Sequence, residues 1–424
     1  MLAMPLMLPT LMLSGALASP WAVEFDPWFQ TFRRTPQIDQ RLDELAALSP
    51  MAQVASLGDS IEGRAIQAIS IGHGGDGRPT LVVIGTQHAR EWISPMVTTC
   101  IADGLTRGWE DGEPEVVELL DNLDVVVVPV VNPDGYEYSW DVDRFWRKNR
   151  RPGGGVDLNR NWDAMWGTGV AGAPPNSEVF PGTAAFSEPE TEAVRAMVEA
   201  RNVVGFVDYH SPIAVVLYPF AYTPKPGPQE RVESSWAEAM AEAITAVHGV
   251  SHGTGKPGVG NPSGGLAQDW AHGNIGALAW TVELRGGSGG SGFILPEEQI
   301  IPACEENFAG LLELGSRLAM DFGEPPPSSG DSGTDTGDPG GTADDAGTQT
   351  GPPSMTSGVS DDAADDGTPT TGGASATGST PPMADGSDDA GCGCTQSPHR
   401  HGVAVWAWML VLGLRRRTSL RSVD

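Results

Sequence analysis

Basic side chains are scarce in this sequence. Against 55 Asp and Glu there are 25 Lys and Arg, giving a formal net charge of −30 over 424 residues. Phosphate binding needs a basic surface, so nucleic acid is not an expected partner. Cysteine is scarce too, and four residues do not make a disulfide framework. Cys100 and Cys304 lie in the part that reads as folded, and spacing alone does not say whether they pair. No internal repeat is visible. The N-terminal apolar segment lacks a basic flank, and the C-terminal one is only twelve residues long, Val403 to Leu414, which is short for a stable membrane span.

What is present divides the chain into unequal parts. Residues 1–18, "MLAMPLMLPTLMLSGALA", read as a secretory signal, with small residues at Ala16 and Ala18 suited to cleavage before Ser19. Residues 23–323 read as one large domain. In residues 324–390 every charged residue is acidic and the rest is mostly Gly, Ser, Thr, Pro and Ala. Such a composition buries too little apolar surface to offset its ordering entropy, which predicts a disordered linker. A flexible chain of that length spans about 45 Å. Residues 391–424 combine a Cys pair (Cys392, Cys394), the short apolar stretch and Arg415, Arg416 and Arg417. The arginines suit a stop-transfer signal on the positive-inside rule. This order resembles the myxobacterial C-terminal sorting signal. The resemblance implies processing by sorting machinery and attachment to the cell surface or outer membrane; a plain tail anchor would equally imply export.

Within the domain, apolar runs alternate with amphipathic stretches. Strands are expected at 80–85, 123–131, 203–210, 214–219 and 277–284. Their near-continuous Val and Leu suggest a sheet covered on both faces. Helices are expected around 92–107, 188–201, 230–248 and 297–319. "SEPE" reads as a capping box of Ser187 and Glu190 at the start of the second. The fold class is therefore α/β: a mixed, largely parallel central sheet with helices on both faces.

Histidine, eight in all, narrows the chemistry. Only His88 and His210 follow directly on apolar strands. In open α/β sheets, ligands bind beyond the carboxyl ends of the strands. "GTQHAREWISP" adds Glu91 three residues after His88. His88, Glu91 and His210 would make a His₂Glu set with one open position, the pattern of a catalytic zinc site. Glu283, ending the apolar run "ALAWTVEL", is a carboxylate free to act as general base. Asn159, Arg160 and Arg147 offer donors suited to a substrate carboxylate, arginine through its bidentate fork.

Taken in order, "GDSIEGR", "QHAREWISP", "VVNPDGYEYSW", "RFWRKNR", "GVDLNRNWD", "LYPFAY", "TVELR" and "GFILPEEQIIP" resemble the zinc metallocarboxypeptidases related to carboxypeptidases A and B. The resemblance implies one zinc on His88, Glu91 and His210. It implies Asn159 and Arg160 on the substrate's terminal carboxylate, Arg147 on the oxyanion and Arg90 lining the cleft. Glu283 would deprotonate the attacking water, and Asp157 would orient His88. Two departures stand out. "GVGNPSGG" has Gly260 or Asn261 where the family usually has a Tyr that closes over the substrate. "SGGLAQDW" carries one residue more than the usual spacing; aligned from Asp269 and Trp270, Gln268 lines the base of the side-chain pocket. A neutral Gln268 favours neither a strict Lys/Arg preference nor a purely aromatic one. The expected activity is removal of C-terminal residues from peptides or proteins outside the cytoplasm. Rival readings are a cell-wall peptidase or amidase acting on diaminopimelate-type peptides, and a non-catalytic surface binding module.

Overall fold

The structure, a computed structural model, describes residues 26–258, 261–287 and 292–323. The segments read as export signal, acidic linker and C-terminal sorting region lie outside the described residues, as do Gly260 and part of "GGSGGSG". Eight strands form one sheet: β1 (Ala52–Asp59), β2 (Ala65–Ile71), β3 (Pro79–Gly85), β4 (Asp124–Val128), β5 (Asn202–His210), β6 (Ile213–Leu217), β7 (Gly253–Gly255) and β8 (Leu278–Arg285). Their order is β1-β2-β4-β3-β5-β8-β6-β7. The four central strands β4, β3, β5 and β8 run parallel. Antiparallel pairs join them to β2 and β6 on either side. This is the mixed, largely parallel sheet that the apolar runs predict. β4 stops at Val128, earlier than expected, because Pro129 has no N–H to donate to a ladder.

The pleat sends alternate residues of each strand to opposite faces, and each face has its own core. One face carries Leu81, Val83, Val125, Val127, Val207, Tyr209, Trp280 and Val282. It packs against long helices: α1 (Thr35–Leu48), α2 (Ile93–Asp111), α3 (Pro114–Asn122), α6 (Glu230–His248) and α8 (Ile300–Phe322). Here α2 and α8 are joined by a disulfide between Cys100 and Cys304, both fully buried and 204 residues apart in sequence. The bridge is a pairing that spacing could not give.

The other face carries Val82, Ile84, Val126, Val128, Phe206 and Ala279. Its cover is shorter: α5 (Pro189–Glu199), the single turn α7 (Ala267–Trp270), and loop residues Leu158 and Trp162. The remaining helix, α4 (Pro133–Asp141), is capped by Asn132, whose side chain accepts from the Gly135 N–H. The expected capping box at α5 is not formed. Ser187 instead donates to the Glu188 carboxylate, and Glu190 turns inward to accept from the Ile61 N–H and the Asn149 amide. A buried amide was the better partner. Among the described residues no helix is long and apolar enough to cross a membrane.

Candidate active site

β3 leads into Thr86, and the chain then turns sharply through 88–91, where the Glu91 N–H donates to the His88 carbonyl at 3.2 Å. That turn places both side chains on one side. His88 Nδ1 lies 3.0 Å from Glu91 Oε1. His210, the last residue of β5, brings its Nδ1 to 3.1 Å from Glu91 Oε2 and 2.9 Å from His88 Nδ1. One ligand atom from each of the three residues falls within 4.8 Å of the others. The structure thus unites three residues spread over more than a hundred positions.

The outer nitrogens decide what this cluster wants. His88 Nε2 is 3.1 Å from Asp157 Oδ1, and His210 Nε2 is 2.7 Å from Asp208 Oδ2. A carboxylate can only accept, so each ring carries its proton on Nε2 and aims the Nδ1 lone pair inward. With both rings neutral, as metal binding requires, two lone pairs and a carboxylate converge without a donor among them. Burial disfavours charge on Glu91, yet His88 and His210 outweigh it and hold the carboxyl well below its usual range. Burial also opposes a charged His210, but Asp208 and Glu91 push its basicity well above the ordinary histidine value. The pocket therefore calls for positive charge. Two imidazole nitrogens and a carboxylate with an open side fit zinc.

Asp157 caps the short turn Leu158–Arg160 by accepting from the Asn159 N–H. Its second oxygen accepts from Arg147 Nε at 3.1 Å and Nη2 at 2.9 Å. Burial opposes this carboxylate, but Arg147, Arg160 and His88 overcome it and hold its pKa well below the usual value. Arg147 is thereby fixed, with Nη1 as the nitrogen left to offer. Asn159 Oδ1 accepts from the Ala267 N–H, while its Nδ2 lies 3.1 Å from His210 Nε2. Two donors face each other there, so the Asn159 amide is left for another acceptor. Arg160 donates from Nη1 to the Asn159 carbonyl, and its buried Nε has no partner among the described residues. Gly264 and Gly265 lie flat against this turn. A Cβ on Gly265, at φ +80°, would fall 2.1 Å from the Arg160 carbonyl oxygen, and one on Gly264 would fall 1.9 Å from that of Met165.

Glu283 sits opposite His210 in the β5–β8 register. The residue is partly exposed, but its Oε2 is shielded and has no partner among the described residues. Burial, then the charge of Glu91, pushes its carboxyl up to about 7. Gln268 lies in α7, fully buried, with its amide 3.3 Å from Asp269 Oδ1 and its Oε1 partnerless among the described residues. Arg90 stands at the rim, over the Phe293 ring and 3.6 Å from Glu178. One residue escapes the sequence reading: Asp208, fully buried, which bonds His210 and also accepts from Gln87 Nε2 at 2.6 Å. Its signal was parity, since residues two apart on a strand share a face.

A family model described as zinc carboxypeptidase matches residues 38–310. Carboxypeptidase B of Astacus astacus is 36% identical over 287 residues, covering 65% of this chain and 93% of that protein. A similar likeness, 34% over 329 residues, extends to an inactive metallocarboxypeptidase of Talaromyces marneffei, covering 69% of this chain and 55% of that protein. Among solved structures, carboxypeptidase A from Helicoverpa armigera superposes with a TM-score of 0.63 at 29% identity, covering 69% of this chain and 75% of that one.

Proposed function

The chain belongs to the zinc carboxypeptidase family, and on that premise we propose that it removes C-terminal residues from peptides or proteins with His88, Glu91 and His210 holding one zinc. The observation that carries this reading is the convergence of His88 Nδ1, His210 Nδ1 and the Glu91 carboxylate, with Glu283 opposite His210 in the sheet and its Oε2 without a partner among the described residues. Zinc, when bound, supplies Lewis acidity for the scissile carbonyl and for water. The chain's own residues do the rest. Arg160 and the Asn159 amide grip the terminal carboxylate, and Arg147 offers Nη1 to the oxygen that gains charge. Glu283 takes a proton from water as its oxygen attacks the carbonyl carbon. It then delivers that proton to the amide nitrogen as the C–N bond breaks, releasing one amino acid and the shortened peptide. Asp157 and Asp208 hold the two ligand rings in place, and Arg90 lines the entrance.

Free-acid and C-terminally amidated forms of one peptide test the exopeptidase reading. An amide cannot satisfy the charge of the half-buried Arg160, and losing one partner of a desolvated charged pair costs roughly 2–5 kcal/mol. The acid form should be cleaved about 30-fold to several-thousand-fold faster, and Arg160→Ala should erase most of that difference. Equal rates would leave an amidase or endopeptidase on the same scaffold.

Export is supported by the disulfide, since such bonds persist in oxidising compartments. The reading places the protein outside the cytoplasm, held by or released from its C-terminal segment after processing. An active cytoplasmic pool with Cys100 and Cys304 reduced would overturn it.

A further inference from the structure

The sheet ends on β7, which pairs in parallel with β6 and has no strand beyond it among the described residues. The Gly255 carbonyl accepts from the Tyr218 N–H at 3.0 Å, toward the β6 side. Backbone polar groups of successive strand residues point to opposite edges, so the Thr254 N–H and carbonyl face outward. Natural edges are blunted by charge, proline or a bulge. This one reads Gly-Thr-Gly, with Gly253 and Thr254 exposed, and a Cβ on Gly255 would meet nothing within 4 Å. Its short length is its one protection.

Beside that edge, between β7 and α6, lies a cavity of about 480 Å³, within the roughly 300–1,000 Å³ typical of ligand sites. Thr254 pairs with Val216, whose side chain belongs to the core under α6. Parity therefore turns Thr254 and, two residues earlier, His252 toward that helix, and both line the cavity. Glu238 and Glu242, one turn apart on α6, line it too, and neither forms an ion pair or hydrogen bond among the described residues. Like charges at that spacing repel. No Lys or Arg lines the cavity, and nearby Lys256 is taken by Glu230 and the Lys225 carbonyl. His252 completes the set. It is only 7% exposed, and its Nδ1 lies 3.1 Å from the Val250 carbonyl, which can only accept. The proton therefore sits on Nδ1 and Nε2 keeps a lone pair, which has no partner among the described residues. Burial, helped by Arg285, holds this ring below the ordinary histidine pKa against the pull of the Val250 bond.

Edge and cavity share one geometry. A strand added along β7 would bond to Thr254 and, by the same parity, send the side chain opposite Thr254 toward α6 and into the cavity. Two carboxylates and an imidazole lone pair suit a cation there. We infer that the open edge of β7 and this cavity form a docking site for an extended segment of a protein partner, with a lysine or arginine of that segment seated among Glu238, Glu242 and His252. β6 separates this edge from β8, which carries Glu283. A protein gripped here is held by a stretch other than the chain end offered to the metal cluster.

The test uses the full chain with zinc and a labelled peptide, acetyl-Thr-Val-Lys-Val-Thr-amide, whose blocked end offers no free carboxylate. A second peptide has norleucine for lysine, which keeps the length and removes the charge. The lysine peptide should bind at least about tenfold more tightly, as expected for hydrogen bonds to a charged group. Combining Glu238→Gln with Glu242→Gln, both at exposed positions, should bring that ratio near one. Thr254→Pro, tolerated on an edge strand whose N–H faces outward, should abolish binding of both peptides. Hydrogen exchange across residues 253–255, read by mass spectrometry, should slow when the lysine peptide is bound. Absence of saturable binding, equal affinities, a ratio unmoved by the double variant, or unchanged exchange overturns the inference. So does n-butylamine displacing the peptide at the peptide's own concentration, which would make the cavity a site for free amines. Protection of 253–255 before any peptide is added assigns the edge to another segment of this chain. Self-association lost in Thr254→Pro assigns it to a second copy. Either result overturns the partner. None of these readouts depends on turnover, so each stands whatever becomes of the exopeptidase reading.

Discussion

The two faces of the sheet solve different problems with the same strands. One is covered by five helices of nine to twenty-three residues, packed on aliphatic side chains and joined by the Cys100–Cys304 bridge. The other is covered mainly by loops, one eleven-residue helix and a single turn, with buried polar side chains threaded through: Gln87, Asn149, Asp157, Asn161, Glu188, Glu190 and Asp208. The first face is held by burial, which is non-directional and tolerant of detail. The second adds to its own apolar core a set of buried hydrogen bonds whose partners must all be present. Stability and chemistry are thus separated by the thickness of one sheet. Changes on one side should leave the other's readout nearly alone.

Glu283→Gln should show the largest effect. It keeps the shape and removes the proton acceptor, so kcat should fall by about 10²–10⁴-fold while zinc content and the unfolding midpoint stay put. A midpoint that fell with kcat would mean the two faces are not separable. Replacing Cys100 and Cys304 by Ala is the mirror experiment. Stability should drop by about 2–5 kcal/mol, read in denaturant, with kcat per folded molecule unchanged; a parallel loss of kcat would show that the helical face also tunes the site.

The smallest effect sharpens the contrast through pH. Burial raises the Glu190 carboxyl from 4.5 to about 7, against the lowering pull of its backbone and Asn149 hydrogen bonds. The folded state therefore holds a proton that the unfolded chain releases. Its contribution is full below about 4.5 and is lost as pH rises through about 7, by up to about 3 kcal/mol. Unfolding in urea at pH 5 and pH 8 should show a fall to which Glu283 and Asp39, also raised to about 7, contribute, and Glu190→Gln should reduce it. An unchanged slope in the variant would assign the pH dependence elsewhere.

The helical face was the easier to read. Runs such as "TLVVIG" and "VVGFVDYH" announce buried strands because both their sides are covered, and α2, α6 and α8 show their apolar stripes over long stretches. The sequence reading assigns neither β1 nor β2: the edge strand β1, "AQVASLGD", carries few large apolar residues, and β2, "AIQAISI", is interrupted by Gln67 and Ser70. α1, α3 and α4 were not assigned either; α4 is built on "PDGYEYSW", whose Pro and Gly read as a turn until the Asn132 cap is seen. In the site, the motif residues could be named because type and order carry them. Asp208 could not, because inside an apolar run it looked like an interruption. Only the strand's parity, and the ring it supports, gives it a place. The Cys100–Cys304 pairing depends on how α2 meets α8, which no local pattern contains.

Gly264 and Gly265 have a consequence for how this cleft could be diversified. Any side chain at either position would drive into the carbonyl of Met165 or Arg160, moving the turn that presents Arg160 and Asn159. The placement of Arg160 and Asn159 is therefore tied to two positions that tolerate no side chain, however freely the residues around them are exchanged. Saturation mutagenesis would show this as two adjacent barren columns.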